Sequence, residues 1–492
     1  MKGDVIQYER AYRQLKSRIE CGVLPVGARL PGRSVLCGEL QTSERTVRHA
    51  LALLEQDGFL RIEPRKKPVV ISAFPSPEGR ALQDTKKADA AQVNDLMQTA
   101  ELLCYPIYLR GLRLCAGSDW RTPETLLAAM DPDRPGGEFW HLSSRLGRFF
   151  IARNENELTL RVVDSLGFRE KEPLHSSREE RARYRSHLET LFQTVKSGGA
   201  PGREQLDVIF SQYRAIAEQA GETQFIQLRS PCPMLAEADG LVRQFSAAQE
   251  RYSTVCLDLL GLIAIGRYQP GDRLPTHDQL QRYYGVSRDT TVKAVRMLQD
   301  WGIVTAAPRR GIVVMMNLEK LKEIRITPGS IACHVRRYLD SLELLSLTVE
   351  RTAAHAAAHV GPGDAERLHR ELLRQWEQPY EHQLIPRTLL RFITDHIQYQ
   401  ALGAIYELLT RNFSIGRSIP KLVSPDKNAE NCKLYQRCIE ASAILGRGDG
   451  TLFAKVAAEM FEQTRSLVAA ECRRLGYWDA AAQVYDGEAL WR

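Results

Sequence analysis

Ser43-Glu44-Arg45-Thr46-Val47-Arg48-His49-Ala50 and Ser287-Arg288-Asp289-Thr290-Thr291-Val292-Lys293-Ala294 are two copies of one stretch, 244 positions apart. Each opens on a serine suited to cap a helix. The same spacing holds well outside the stretch. Ile19, Gly22, Gly27, Arg29, Leu30 and Pro31 recur as Ile263, Gly266, Gly271, Arg273, Leu274 and Pro275. Leu36, Leu54 and Gly58 recur as Leu280, Leu298 and Gly302. A gap-free match of this length is an internal duplication, which has to be recognised before any fold is assigned.

Around the first copy, Ile6, Tyr8, Tyr12, Leu15 and Ile19 fall at helical spacing and predict a helix over 5–21. Gly22 stops it and Pro25-Val26-Gly27 turns the chain. A second helix is expected over 34–40 with Ser34 as its cap. Thr42 or Ser43 caps a third, which runs to about Gln56 with Val47, Ala50, Leu51 and Leu54 facing the core. Gly58 closes it. Phe59–Ile62 and Val69–Ile71 read as strands, with the loop 63–68 between them. Three short helices and a hairpin make a winged helix-turn-helix. A third helix of this kind is expected to lay its N-terminal turn in a major groove, where base edges are distinguishable.

The stretch Gly22-Val23-Leu24-Pro25-Val26-Gly27-Ala28-Arg29-Leu30-Pro31 resembles the G-x-L-x-P-G-x-x-L-P signature of the GntR family of bacterial transcription factors. So does Gly266-Arg267-Tyr268-Gln269-Pro270-Gly271-Asp272-Arg273-Leu274-Pro275. The resemblance covers about 8–72 and 252–316. It implies double-stranded DNA as partner and names the candidate contacts. In the first head these are Arg33, Ser43, Arg45, Thr46 and Arg48, with Arg65, Lys66 and Lys67 on the wing. In the second they are Ser287, Arg288, Thr290 and Lys293, with Arg309, Arg310 and Gly311 on the wing. Both copies depart from the family pattern. Arg33 stands where an acid is usual, and Ser34 and Asp278 stand where an arginine is usual. Gly311 supplies the wing-tip glycine, which Pro68 replaces in the first copy. Glu44 would repel phosphates, though it can accept from cytosine N4.

The rest of the chain is read from composition and period. With 492 residues it should hold three or four domains. It is 43% hydrophobic and 26% charged, with a net charge of +7, which permits nucleic-acid binding only where the basic residues cluster. The ten cysteines form no Cys-x-x-Cys pair, so a zinc ribbon is not expected, and free thiols suit a reducing compartment. The N-terminus lacks the apolar core of a signal peptide, and the most apolar run, Val255 to Ile265, is too short to span a bilayer. The expected location is the cytoplasm, with no membrane contact.

The expected architecture is mainly α. Winged helix-turn-helix domains at 1–74 and 248–317 are each followed by an all-α helical bundle, at 93–240 and 328–492. Residues 75–92, rich in polar residues and proline, read as a linker. Helical spacing in the first bundle falls around Val93 to Leu103, Leu126-Leu127, Phe139 to Ile151, Leu158 to Leu166, Tyr184 to Val195 and Glu204 to Ala220. In the second bundle, one long helix through Leu339 to Ala357 ends at Gly361-Pro362-Gly363. Helices are then expected over 364–377, 386–412, 428–445 and 451–475.

The second bundle resembles the helical effector domain of the FadR-like branch of the family. That resemblance implies a carboxylate-like small-molecule effector, often beside a metal held by an aspartate and three histidines. The residues do not form that set. Asp395 and His396 are adjacent and so fall on different faces of a helix. No histidine stands in the later Tyr435 to Asp449 stretch, and Gln463 takes the last ligand's place. Glu138, His141 and His187 make an incomplete group, and His355 and His359 read as a surface or packing pair. No metal and no cofactor are expected.

Two functions remain open at this stage. One is a ligand-responsive transcriptional regulator, with both heads of a usual homodimer carried in one chain as an intramolecular pseudo-dimer. Because the heads differ, its operator would have unlike halves. The alternative is a helical scaffold whose altered heads no longer bind DNA specifically. An enzyme is not expected, since no nucleophile–base pair or phosphate loop is present and each helical segment is too short for the aminotransferase domain of the family's pyridoxal-phosphate relatives.

Overall fold

The computed structural model describes residues 8–484 apart from 9–10, 13–14, 17, 20–23, 41, 65, 73–85, 167–176, 200, 202–224, 229–250, 265, 308–310, 317–327, 379–380 and 419–426. The chain divides into two units, one drawn mainly from each half, with Tyr399–Ala404 counted in the first.

The first head is a winged helix-turn-helix. Its first helix buries Ala11, Leu15 and Ile19 against the helices Arg33–Glu39 and Glu44–Gln56. Ser43 caps the Glu44–Gln56 helix and Gly58 ends it at φ 78°, so the expected limits hold. The second helix starts one residue earlier than expected. The Gly32 carbonyl accepts from Leu36 N at 3.0 Å, which leaves Ser34 inside the first turn instead of at the cap. Leu60–Arg61 and Val69–Val70 pair antiparallel, Leu60 opposite Val70, and Arg29 bridges to Val69 as a third, one-residue strand.

The second head repeats this down to single hydrogen bonds. Its helices are Arg251–Ala264, His277–Tyr284 and Arg288–Asp300, and Arg273 bridges to Val313 as Arg29 does to Val69. Gly27 N donates to Val70 O and Gly271 N to Val314 O, both at 2.8 Å. Phe59 N reaches Leu54 O, and Ile303 N reaches Leu298 O, both at 2.9 Å. The duplication is therefore structural as well as sequential.

The hairpins differ in length. In the second head Val304–Ala307 pairs with Gly311–Val314 through four residue pairs, ending at Ala307 opposite Gly311. In the first head pairing stops at Arg61 opposite Val69. The next residue inward is Pro68, which has no N–H to give to a ladder. This register corrects the sequence reading of the wing. Gly311 corresponds to Lys67, and Pro68 corresponds to Ile312.

The first helical segment contains Ala90–Leu114, Arg121–Ala129, Gly136–Ala152, Glu157–Ser165 and Arg178–Lys196. Trp120, Phe150 and Phe192 form its aromatic centre, with ring centroids 5.2–6.0 Å apart in edge-on or tilted arrangements. The segment is not wholly α. Lys86–Asp89 and Phe225–Leu228 pair antiparallel, and Asp89 then caps the helix that follows through Ala91 N at 2.8 Å. The strand Lys86–Asp89 thus falls inside the stretch read as a linker. The helix expected over 204–220 lies outside the described residues.

The second helical segment contains Pro328–Ala357, Asp364–Glu377, Ile385–Asp395, Gln400–Phe413, Ala429–Gly446, Gly450–Arg474 and Tyr477–Val484. The single helix expected over 386–412 is two. Ile393 O and Thr394 O accept from His396 N and Ile397 N, each at 3.2 Å, and this tightening ends the first of them. The buried Thr348 hydroxyl and the Tyr406 phenol share a hydrogen bond of 2.9 Å in the core.

Candidate nucleic-acid interface

The recognition helix of the first head is set by its cap. Ser43 Oγ accepts from Thr46 N at 3.2 Å and shares a 2.8 Å hydrogen bond with Thr46 Oγ1. Thr46, a candidate DNA contact, is only 5% exposed, so its hydroxyl serves the cap. Val47, Ala50, Leu51 and Leu54 are buried beneath it. On the opposite side Glu44, Arg45, Arg48 and His49 are exposed. Arg45 and Arg48 have no ion-pair partner among the described residues. Arg33, at the start of the preceding helix, is exposed as well.

The wing is less free than its composition implies. Lys66 Nζ lies 2.6 Å from Glu63, and Arg61 Nε lies 3.3 Å from the same carboxylate. The Lys66 ammonium, first by hydrogen bond and then by charge, holds the Glu63 carboxyl below the usual range. Lys67 is exposed, and Arg65 lies outside the described residues.

The second head presents different chemistry on the same scaffold. Ser287 Oγ caps through Thr290 N at 3.4 Å and shares 3.0 Å with the Thr290 hydroxyl. Thr290 is half-buried. Arg288 Nη1 is 3.9 Å from Asp278 Oδ1, with both side chains at least 70% exposed, so this contact holds the guanidinium weakly. Lys293 lies with its ammonium 5.6 Å from the ring centroid of Tyr252. Thr291 is buried, donates to Arg288 O at 2.8 Å and is bonded by His277 Nδ1 at 3.0 Å. Burial, followed by the Arg288 charge, lowers the His277 pKa. Gly311 sits at φ 78°, the left-handed region that a wing tip needs. Arg309 and Arg310 lie outside the described residues.

The structure thus groups Arg33, Ser43, Arg45 and Arg48 on one head and Ser287, Arg288, Thr290 and Lys293 on the other. It adds Tyr8, edge-on to His49 and expected only on an apolar helix face, and Tyr252, beneath Lys293, which has no place in the sequence analysis. Among the described residues no group of three or more His, Cys, Asp or Glu is arranged to hold a metal ion. His396 Nε2 instead lies 3.3 Å from Asp364 Oδ2. No helix of the described residues is long and apolar enough to cross a membrane.

Fold and surface together define a tandem winged helix-turn-helix protein. Residues 7–70 and 251–314 each match the family model for bacterial regulatory proteins of the gntR family. Both heads are therefore gntR-family domains. The chain is 32% identical over 127 residues to the uncharacterized HTH-type transcriptional regulator YieP of Escherichia coli (strain K12), covering 25% of this chain and 55% of YieP. It thus spans about half the length of that curated relative. Among solved structures, Streptococcus agalactiae GntR aligns over 44% of this chain and 99% of its own, at 19% identity and a TM-score of 0.21. E. coli McbR/YncC aligns over 43% and 97%, at 21% identity and a TM-score of 0.23.

Proposed function

We propose that this protein is a sequence-specific DNA-binding transcriptional regulator that brings two unlike heads to one operator. The observation that carries the reading is the capped helix Glu44–Gln56, which buries its apolar stripe and leaves Arg45 and Arg48 exposed at its leading end. Two guanidinia at that place suit the O6 and N7 acceptors of guanine. Carrying both heads in one chain makes pairing of the heads intramolecular. The operator is then non-palindromic, with half-sites about one helical turn apart.

A cavity of about 150 Å³ in the second helical segment supports a ligand-responsive reading. Its wall includes Tyr338, His382, Arg387, Asn431, Tyr435 and Thr464. The Arg387 guanidinium in that wall suits a small carboxylate. The Trp376 ring stacks on Tyr435 at 4.2 Å, which stiffens that wall.

The test is fluorescence anisotropy on DNA from upstream of the protein's own gene, across a salt series. Binding that survives competitor DNA, weakens steeply with salt and is lost in the Arg45→Ala, Arg48→Ala double variant supports the regulator. Each arginine should account for roughly 5- to 150-fold in affinity. Equal binding by wild type and double variant, or none at low salt, sinks it in favour of a scaffold. Thermal shifts with small carboxylates, lost in Arg387→Gln, would support the cavity as the effector site.

A further inference from the structure

The two recognition helices expose opposite chemistry at equivalent places. On the first, Arg45 and Arg48 are three residues apart and share one exposed stripe. The positions 244 residues later are Asp289 and Val292. Both are exposed, Val292 at 38%. The frames around them coincide. Ser43 and Ser287 make the same cap, and Ala50 and Leu54 are buried like Ala294 and Leu298. Asp289 and Val292 therefore stand in the second head where the two arginines stand in the first. The preceding residue inverts too, with Glu44 replaced by Arg288.

We infer that the second head reads a half-site of inverted pattern: base pairs that offer an amino donor and a thymine methyl where the first head takes guanines. This rests on the DNA-reading function proposed above. A carboxylate can only accept, so Asp289 selects the N4 amino group of cytosine or the N6 amino group of adenine and is repelled by guanine O6 and N7. Val292 has no polar atom to offer and carries two methyl groups, which suit the C5-methyl of thymine. Arg288, one residue before the acid and held only weakly by Asp278, is free to meet phosphate and offset the cost of bringing Asp289 into the groove. The first head confers guanine preference, and the second rejects guanine at the matching positions. A chain built this way binds an asymmetric operator in one orientation only.

The experiment is selection from randomised duplexes with the full-length chain, followed by sequencing. It uses wild type, the Arg45→Ala, Arg48→Ala variant, the Asp289→Arg, Val292→Arg variant and Val292→Ala. Wild type should enrich two unlike half-sites, one with guanines and one with thymine at the matching position. The Asp289→Arg, Val292→Arg variant should convert the second half-site to the first, giving a palindrome. Val292→Ala, a truncation at an exposed place that leaves the fold intact, should relax the thymine preference about tenfold. A wild-type pool already symmetric in guanine overturns the inference, as does a second half-site that neither change at 292 alters. Failure of the regulator reading looks different: wild type then enriches no sequence, and the Arg45→Ala, Arg48→Ala variant behaves identically.

Discussion

Lys293 rests its ammonium over the ring of Tyr252, 5.6 Å from the centroid, and the first head has His49 edge-on to Tyr8 at the same two places, 4.2 Å between centroids. The pair ties the recognition helix to the first helix of each head. An exposed cation–π contact contributes about 0.5–1 kcal/mol. Lys293→Met keeps the stem and removes the charge, so it should lower the stability of the second head by about that amount. The salt slope of DNA binding should stay the same. A slope reduced by about one counterion would instead place Lys293 on a phosphate.

Glu63 draws Lys66 and Arg61 away from any partner outside the wing. Replacing Glu63 with Gln removes a negative charge beside the groove and releases both cations. Affinity should rise on all sequences alike, and the salt slope should steepen by about one to two counterions, since phosphate contacts carry no sequence information. Anisotropy on specific and random duplexes measures both. Unchanged binding would show that the first wing does not meet DNA.

Gly111 on the helix Ala90–Leu114 lies against the backbone of the helix Gly136–Ala152, and a Cβ there would run into the Phe150 carbonyl oxygen. The backbone cannot yield as a side chain can, so Gly111→Ala should destabilise the first unit by about 1–3 kcal/mol. Gly147 provides the contrast. Its added Cβ would meet only Tyr108 Cε2, at an ordinary 3.7 Å. Gly147→Ala should be neutral or stabilise by up to about 1 kcal/mol, because alanine loses less entropy in a helix. Thermal midpoints of the two variants should move apart, and a common shift would contradict the close approach.

Both heads were legible because local signals agreed. Ser43 and Gly58 bracket a helix whose apolar spacing is unambiguous, and Gly363 marks the start of Asp364–Glu377 just as clearly. The break at His396 was hidden, since Leu389, Leu390 and Ile393 lead into Leu402 and Ile405 without a proline or glycine at the junction. The pairing of Lys86–Asp89 with Phe225–Leu228 joins four-residue strands far apart in the chain, too short to show a period of two. At the candidate interface the long arginines could be named from the pattern. The burial of Thr46 and the hold of Glu63 on Lys66 depend on rotamers, which spacing does not report.

His334, only 4% exposed on the helix Pro328–Ala357, ties the stability of the second unit to pH. Burial, assisted by the Arg337 charge, lowers its pKa from the usual 6.5 to about 3. Above pH 6.5 the imidazole is neutral in folded and unfolded chains alike, and it favours neither. Below that value the unfolded chain takes up a proton that the folded chain refuses, so stability falls as pH drops from 6.5 towards 3. By about pH 5 the loss from this one group approaches roughly 2 kcal/mol, at 1.36 kcal/mol per pH unit, and any folded pKa near or below 4 gives much the same figure. His334→Gln removes the titration. Its unfolding midpoint should fall less than that of wild type between about pH 7.5 and about pH 5, whatever the substitution costs at the higher pH. Parallel losses in the two proteins would mean that His334 is protonated in the folded chain.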